Sequence, residues 1–400
     1  MNNSSNLNFK KAQLKKAQLK KAFSLIELSV VVLIIGILIA GITQGSRLVR
    51  AMKLNTARSL TRSSDVASMR NLTAWFDATA EGVLSSSCNT NSVSTDLSST
   101  TRTFNTNTSN GNPSVTTPSS AYIMPEHRQV VRLWKDSSPQ DTDADKVILE
   151  YAHSTNANVN TAGNCNTQDY SVSGTTGVNK GPMYHNSGLA GLPSIYFDGG
   201  ANSWFSTINP VTMPLVAGKK DFSFFAVYRT DPDYAGGTHR NILQFSATGQ
   251  SPDEAKYPAL VASNNSSGCN TYPMLSWWNN QDNCAYKIYP NNSKYASKPS
   301  TEYAFGVAID STNTTTISAT NTKLYFNSVV PADNITVGGS VGLVDTINSQ
   351  LNIGGGYNNN NQYAYKGFIS EVLIFDRKIT NEEASSVMAY LIKKYNIKAL

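Results

Sequence analysis

The longest uninterrupted apolar segment of this 400-residue chain lies close to its N-terminus, at residues 23–43. At about 1.5 Å per residue, a helix of this length spans roughly 30 Å, the thickness of a hydrocarbon core. The segment therefore predicts a helix that crosses a membrane once. Beyond it, apolar residues recur at helical spacing among basic ones, which predicts that the helix continues to residue 70 with one face packed.

After residue 70 the pattern changes to short runs of alternating apolar and polar residues separated by turn residues. This pattern is typical of strands, and many short strands without alternating helices predict an antiparallel β-sandwich. The run 368–375 is nearly apolar on both faces, which indicates a central strand or one covered by a helix. The predicted strands are 222–228, 242–245, 274–278, 303–309, 324–327, 350–353 and 368–375.

A second helix is predicted at the C-terminus. Thr380 and Glu383 form a capping-box pattern at its start, and Lys393 and Lys394 lie at its negative end. The fold class is therefore α+β, with a long N-terminal transmembrane helix, a mainly antiparallel β-sandwich and a C-terminal helix. The predicted apolar face of this last helix consists of Ala384, Val387, Met388, Leu391, Ile392 and Tyr395.

The formal net charge of +6 is confined to one end of the chain. Six lysines precede Ala22 without any acid among them, and the remainder has 27 basic and 27 acidic residues. A neutral body argues against nucleic acid as a partner, because such a partner requires a basic surface. The lysines instead predict, by the positive-inside rule, a cytoplasmic N-terminus and an exported body.

One acid, Glu27, interrupts the apolar segment. An acid near the centre of a spanning helix costs about 2.5 to 3.5 kcal/mol and usually has a partner. A cleaved secretory signal has a shorter apolar region followed by small residues, which this segment lacks. A plain signal anchor explains the length and the lysines but leaves Glu27 without a role.

Residues 22–28, with the sequence AFSLIEL, resemble the N-terminal signature of type IV pilins and of the pseudopilins of type II secretion. The resemblance implies that a prepilin peptidase removes the basic leader 1–22 by cutting between Ala22 and Phe23, and that Phe23 is N-methylated. Glu27 then pairs with the freed amine of Phe23, on its own or a neighbouring chain, as helices assemble. The sequence departs from the family in having Ala22 instead of the usual glycine, and Gln44 where many pilins have proline.

Three segments of the body, in order, resemble the opening strands of LamG-like domains of the concanavalin A-like lectin/glucanase superfamily. They are 71–78 (NLTAWFDA), 130–137 (VVRLWKDS) and 191–199 (GLPSIYFDG). Residues 367–376 and the following helix resemble the closing strand and helix of such domains. The resemblance implies that 71–400 form one concanavalin A-like jelly roll, following the helix at 23–70, and that the Ser/Thr/Asn-rich tract 85–121 is an insertion in it.

The four cysteines show no metal-binding spacing, which argues against zinc. In an exported chain two disulfides are the expected use. Cys269 and Cys284 are close enough in sequence to close one hairpin or loop, which leaves Cys88 with Cys165. Sequence alone allows three connectivities, so this pairing is a hypothesis.

The sequence predicts that the body is not an enzyme. A retaining glycosidase needs two carboxyl groups roughly 5 Å apart, usually from alternate positions of one strand. The closing strand offers Glu371 and Asp376, whose odd separation places them on opposite faces. Nucleophile, zinc-protease and phosphate-loop motifs are also absent from the sequence.

No cofactor is predicted, although residues 141–145 (DTDAD) resemble the start of a calcium loop. Lys146 stands where the turn glycine of an EF-hand belongs, and Ala152 where its closing glutamate belongs. An EF-hand is therefore excluded, and a solvated loop is favoured over a different calcium site.

A carbohydrate site is the remaining candidate in the body. Trp277 and Trp278 are adjacent, so on a strand one ring faces outward, where it can stack on a sugar. Tyr357 and Asn358, after three glycines, add an aromatic ring and an amide of the kind that sugars bind. The alternative is that one tryptophan packs in the core, the other covers an edge, and the amides solubilise loops.

The sequence thus predicts a minor type IV pilin-like subunit with a lectin-like head for adhesion to a surface or glycan. A pseudopilin of type II secretion is the alternative, and a polysaccharide hydrolase a further one. The predicted partners are other pilin subunits, the prepilin peptidase and a carbohydrate or surface ligand. The predicted location is the bacterial inner membrane, single-pass with the head exported, and then a periplasmic or extracellular filament.

Overall fold

The structure of the protein is a computed structural model, and it divides into two compact units, residues 1–52 and 53–400. The second unit contains the sheets and the C-terminal helix. The described residues are 25–85, 125, 127, 131, 133–140, 146–152, 181–199, 204–207, 221–231, 240–247, 258–262, 273–277, 287–290, 292–295, 300–309, 316–338, 341–342, 349–355 and 364–399.

The N-terminal helix, α1 (Leu25–Ser63), is 39 residues long. The prediction that the helix continues to residue 70 was wrong. The backbone is extended at Ser64, and a short 3-10 helix follows at Asp65–Ser68. The hydroxyls of Ser63 and Ser64 donate to the carbonyls of Leu60 and Thr61. Such local side-chain bonds compete with the regular helix and favour its ending.

Nineteen strands are described in the second unit, and they are short, as the alternating pattern predicts. In chain order they are β1 (Leu72–Asp77), β2 (Leu84–Ser85), β3 (Leu133–Lys135), β4 (Ile148–Ala152), β5 (Met183–His185), β6 (Ser194–Asp198), β7 (Trp204–Thr207), β8 (Phe222–Thr230), β9 (Asn241–Ala247), β10 (Pro258–Val261), β11 (Met274–Trp277), β12 (Lys287–Pro290), β13 (Glu302–Ile309), β14 (Thr316–Ile317), β15 (Thr322–Phe326), β16 (Ile335–Gly338), β17 (Val341–Gly342), β18 (Ser349–Ile353) and β19 (Lys366–Phe375).

Two antiparallel sheets form the body. The first has seven strands in the order β15-β13-β8-β19-β6-β5, with β1 also paired to β19. The second has ten strands in the order β16-β12-β11-β10-β9-β18-β7-β4-β3-β2, and β14 pairs separately with β17. The predicted fold class is confirmed, and each predicted strand forms with its ends shifted by a few residues.

The first sheet is buried on both faces. Between the sheets lies the larger core, to which Phe76, Trp134 and Phe305 contribute. The opposite face carries a second core, in which α2 (Asn381–Lys394) packs against residues such as Phe225 and Leu373. The doubly apolar pattern of β19 is therefore explained as predicted, because the second sheet covers one of its faces and a helix covers the other.

A β-bulge at Ser370 determines which side chains of β19 face the helix. In the pairing with β8, Ile369 lies opposite Tyr228 and Glu371 opposite Val227, so the register shifts by one residue between them. An extra residue reverses the alternation of side chains beyond it. Glu371 consequently lies on the helix-covered face of the sheet with Leu373.

Both ends of α2 are capped. At its start the predicted capping box is confirmed, since Thr380 Oγ1 accepts from the Glu383 N–H at 3.2 Å and Glu383 Oε2 accepts from the Thr380 N–H at 2.8 Å. At its end Asn396 has a left-handed φ of 47° and the Ile397 N–H donates to the Ile392 carbonyl at 2.9 Å, a Schellman motif. These caps fix the last turn, which carries Lys394.

We expect Thr380→Ala to lower the free energy of unfolding of the body by about 1 kcal/mol, because it removes the acceptor for the Glu383 N–H. Urea unfolding followed by tryptophan fluorescence measures the change. Ser386→Ala in the same helix is the control, since this hydroxyl is not part of the cap, and it should cause no loss. Equal stability of Thr380→Ala and the wild type would contradict a stabilising role for the box.

Candidate functional site

The apolar part of α1 is exposed to its surroundings. The large apolar side chains that the structure describes between residues 25 and 42 leave 46–84% of their surface uncovered. Within the described part of the chain, α1 is the one helix long and apolar enough to cross a membrane. A long helix with exposed apolar side chains and high hydropathy is suited to membrane anchoring.

A second distinctive feature is a cluster of charged groups inside the second core. Lys394 Nζ lies 2.7 Å from Asp77 Oδ2 and 2.7 Å from Glu371 Oε2, and none of the three side chains is exposed. Tyr390 donates its hydroxyl to Glu371 Oε1 at 2.7 Å, and Tyr395 donates to Glu371 Oε2 at 2.9 Å. We call these five residues, Asp77, Glu371, Tyr390, Lys394 and Tyr395, the junction cluster.

Neighbouring groups complete the hydrogen bonding of the two acids. Trp75 Nε1 donates to Glu371 Oε1 at 2.7 Å. The backbone N–H and the hydroxyl of Thr79 donate to Asp77 Oδ1 at 2.8 and 2.7 Å. Thr61, near the end of α1, places its Oγ1 3.3 Å from Asp77 Oδ2 and 2.9 Å from the Tyr390 hydroxyl. The cluster thus joins the end of α1, β1, β19 and α2.

The electrostatics of the junction cluster are unusual because two acids share one lysine out of contact with water. Burial is the largest influence on Glu371 and raises its pKa, the Lys394 ammonium opposes this, and Asp77 adds to the increase. Burial, together with the charges of Glu371 and Asp77, holds the pKa of Tyr390 and of Tyr395 well above the ordinary value. Both tyrosines therefore remain protonated and act as hydrogen-bond donors.

A surface cleft of about 310 Å³ opens beside the cluster. Asp77 contributes to its lining, and basic side chains surround it: Arg58, Arg62, Lys135 and Lys146. Arg58 donates Nε–H to the Thr79 carbonyl at 2.9 Å and lies 3.4 Å from Glu81. The cleft therefore presents a largely basic surface beside Asp77, whose own side chain is buried.

Several residues singled out in the sequence lie outside the described part of the chain. These are Ala22, Phe23, Cys88, Cys165, Cys269, Cys284, Trp278, Tyr357 and Asn358, together with the loop 141–145 and nearly all of the tract 85–121. Glu27 lies within α1, and Trp277 ends β11, where it pairs with Pro258 of β10. The predicted assembly pair, disulfides and sugar site consequently stay predictions.

In the described residues, no group of three or more His, Cys, Asp or Glu side chains is arranged to hold a metal ion. The acids that do come together, Asp77 and Glu371, enclose a lysine instead. Sequence reasoning missed this pairing because it compared acids within one strand. A usable signal was an acid inside the nearly apolar run 368–375, because a buried acid needs a partner.

The position of Lys394 at the end of the helix is confirmed, but its burial was not predicted from the sequence. Lys394 lies in the last turn of α2, as predicted, where a cation complements the helix dipole. Its neighbour Lys393 is exposed, but Lys394 is 95% buried and contacts both acids. In a pair of adjacent lysines the composition alone does not indicate which one faces inward.

Comparison with known families gives one match. The family model described as the prokaryotic N-terminal methylation motif matches residues 18–43. This segment contains Ala22, Phe23 and Glu27 and the whole apolar segment 23–43. The chain therefore carries the type IV pilin-type N-terminal motif, joined to a β-sandwich body. Among curated proteins none matches the chain.

The solved structures that resemble the chain do so weakly. Domain 4 of an extracellular arabinanase from Geobacillus stearothermophilus, in complex with arabinotriose, is 12% identical, with 54% of this chain and 82% of that chain covered and a TM-score of 0.34. A sialidase from Trypanosoma rangeli is 10% identical, with coverages of 81% and 33% and a TM-score of 0.34. The CBM40 domain of a Ruminococcus gnavus sialidase, bound to α2,3-sialyllactose, is 12% identical, with coverages of 43% and 84% and a TM-score of 0.30. At these TM-scores the likeness establishes no activity or ligand for this chain.

Proposed function

We propose that this chain is a minor subunit of a type IV pilus-like filament, with the β-sandwich as an adhesive head. The match of residues 18–43 to the methylation motif carries the proposal. The exposed apolar surface of α1 supports it, because such a helix is stable in a membrane or among neighbouring helices. In the mature filament this surface would be covered by the α1 helices of other subunits.

The size of the body favours a minor role over a shaft role. The second unit comprises residues 53–400, which is bulky for a subunit repeated along a filament. A few copies at or near the tip would display the sandwich without crowding. The head would then contact a surface glycan, as the resemblance to LamG-like domains suggests for the body.

The proposal is of assembly and binding, not catalysis. The two carboxyl groups that the fold brings together in the second core are fully buried and are paired with Lys394. A glycosidase pair has to reach a sugar on both sides of its scissile bond. This arrangement therefore supports a head without hydrolase activity, and a reducing-sugar assay on common glucans should show no release above a blank.

Immunogold labelling of surface filaments with an antibody to the head tests the filament role. We expect sparse label at tips, with no label on a strain that lacks the gene. Dense labelling along shafts would contradict the minor role. Absence from filaments, combined with a defect in protein secretion in the deletion strain, would favour the alternative of a type II secretion pseudopilin, which has the same N-terminal motif.

A glycan array probed with the full-length chain in detergent tests the adhesive role. Binding that falls when Trp277 or Tyr357 is replaced by alanine would support the predicted sugar site. Replacement of the exposed Val330 is the control, since it should leave binding unchanged. If the antibody labels filaments but the array shows no binding, the assembly role is supported and glycan binding by the head is contradicted.

A further inference from the structure

We propose that Lys394 and Asp77 become joined by an intramolecular amide bond, which the folded chain forms by itself with Glu371 moving the protons. The inference goes beyond the proposed function and does not depend on it. It rests on the junction cluster, where an amine and a carboxyl group are in hydrogen-bond contact at 2.7 Å and are shielded from water.

The reaction requires a neutral amine on Lys394 and a neutral carboxylic acid on Asp77, and direct contact between the two groups allows one proton transfer to produce both. Taking a charge out of water is unfavourable unless it is fully compensated, and here two carboxylates share one ammonium. Moving one proton from Lys394 to Asp77 Oδ2 gives a neutral amine beside a neutral carboxylic acid. The net charge of the cluster is unchanged, and it then resides on Glu371, which accepts bonds from Trp75, Tyr390 and Tyr395.

The hydrogen bonds of Asp77 orient its carboxyl group so that the Lys394 amine can attack the carboxyl carbon. Its Oδ1 accepts from the backbone N–H and the hydroxyl of Thr79 at 2.8 and 2.7 Å, while its Oδ2 faces Lys394. Two donors directed at one oxygen stabilise the negative charge that develops there when a nucleophile adds to the carboxyl carbon. Oδ2, on the lysine side, is the oxygen that departs.

The condensation balances without an added reagent. The Lys394 nitrogen adds to Asp77 Cγ, and Glu371 Oε2, 2.7 Å away, takes a proton from that nitrogen. Glu371 then gives this proton to the Oδ2 hydroxyl, the Cγ–Oδ2 bond breaks, and water leaves. Of the three ammonium protons, two depart in the water and one remains on the amide nitrogen. Glu371 is a carboxylate again at the end.

The position of the bond gives it a mechanical consequence. Asp77 ends β1, which follows α1 closely in the chain, and Lys394 lies in the last turn of the C-terminal helix. A covalent link between them would close almost the entire body into one loop. Tension entering through α1 would then pass directly to α2 instead of peeling β1 from β19.

Mass spectrometry of the full-length chain, purified in detergent and reduced, tests the proposal. Formation of the amide lowers the intact mass by about 18 Da, the mass of one water. Trypsin should then release a branched peptide in which residues 71–102 are joined to residues 394–398, because a modified Lys394 is no longer a cleavage site. An unchanged mass, with a linear peptide ending at Lys394, would overturn the proposal.

Variants separate the catalytic step from folding. Glu371→Gln retains the Lys394–Asp77 contact but removes the proton carrier, so the branched peptide should fall at least tenfold. Asp77→Ala should abolish it. Glu302→Gln is the matched control, since Glu302 pairs with Arg229 at 3.1 Å away from the cluster, and it should keep the wild-type yield. If Glu371→Gln does not fold, the intact mass of the wild type decides alone.

Discussion

Replacing Lys394 with methionine should lower the free energy of unfolding of the body by about 3–5 kcal/mol, the range measured when one partner of a buried ion pair is removed. The methionine fills much of the lysine volume, so the loss comes mainly from removing the amine and its bonds to the two acids. Asp77 and Glu371 would face each other without a cation, and neither is exposed to water. Urea unfolding of the detergent-solubilised chain, followed by tryptophan fluorescence, measures the change.

Lys393→Met is the matched control, because Lys393 occupies the neighbouring position of the same helix and is exposed. We expect a change within about 0.5 kcal/mol, as for other surface substitutions. Equal losses for both variants would mean that the helix C-terminus, and not the junction cluster, accounts for the effect. A negligible loss for Lys394→Met would show that the two acids are stable without their lysine.

A triple variant that also neutralises Asp77 and Glu371 shows how much of the effect of Lys394→Met comes from the unpaired charges of the two acids. In Asp77→Asn/Glu371→Gln/Lys394→Met no buried charge is left unpaired, and part of the lost stability should return. If the amide bond forms in the wild type, this triple variant would still be less stable than the wild type, because it lacks the covalent link. Full recovery would indicate that the cluster stabilises the head through charge pairing alone.

The local structure of the body could be predicted from sequence where one physical effect dominated. The α2 capping box follows from Thr380 and Glu383, and the strands follow from alternation over a few residues. The end of α1 could not be predicted from the sequence. The apolar pattern continues to residue 70, but two consecutive serines end the helix at Ser63. The periodicity of apolar residues indicates which face of a helix is apolar. It does not show where side-chain hydrogen bonds to the backbone end the helix.

The junction cluster could not be predicted because it depends on the pairing of distant segments. Its acids come from β1 and β19, which are the first and last of the described strands. The bulge at Ser370 then sets which face Glu371 occupies, and no residue in the strand marks that bulge in the sequence. The comparison of Glu371 with Asp376 along one strand could not reveal this pairing, since β19 ends at Phe375 and the partner of Glu371 lies on a neighbouring strand.

The second large effect is expected at the other end of the chain: Glu27→Ala should abolish incorporation into filaments while the chain still inserts in the membrane. An acid in a spanning helix is unfavourable by about 2.5 to 3.5 kcal/mol near the centre, so its removal does not weaken insertion. What the variant loses is the partner for the amine that cleavage after Ala22 would create on Phe23. Membrane fractionation and quantification in sheared filaments measure the two steps separately.

Glu27→Gln and Gln44→Ala refine this test. Glutamine keeps the size and a hydrogen-bond acceptor but not the charge, so incorporation should fall about as far as with alanine if an ion pair sets the register of neighbouring helices. Gln44→Ala changes a polar residue in the same helix and should incorporate normally. Loss of Glu27→Ala from both the membrane and the filaments would place the role of this acid in insertion or processing. Normal incorporation of Glu27→Ala would remove Glu27 from assembly and reduce the apolar segment to a plain membrane anchor.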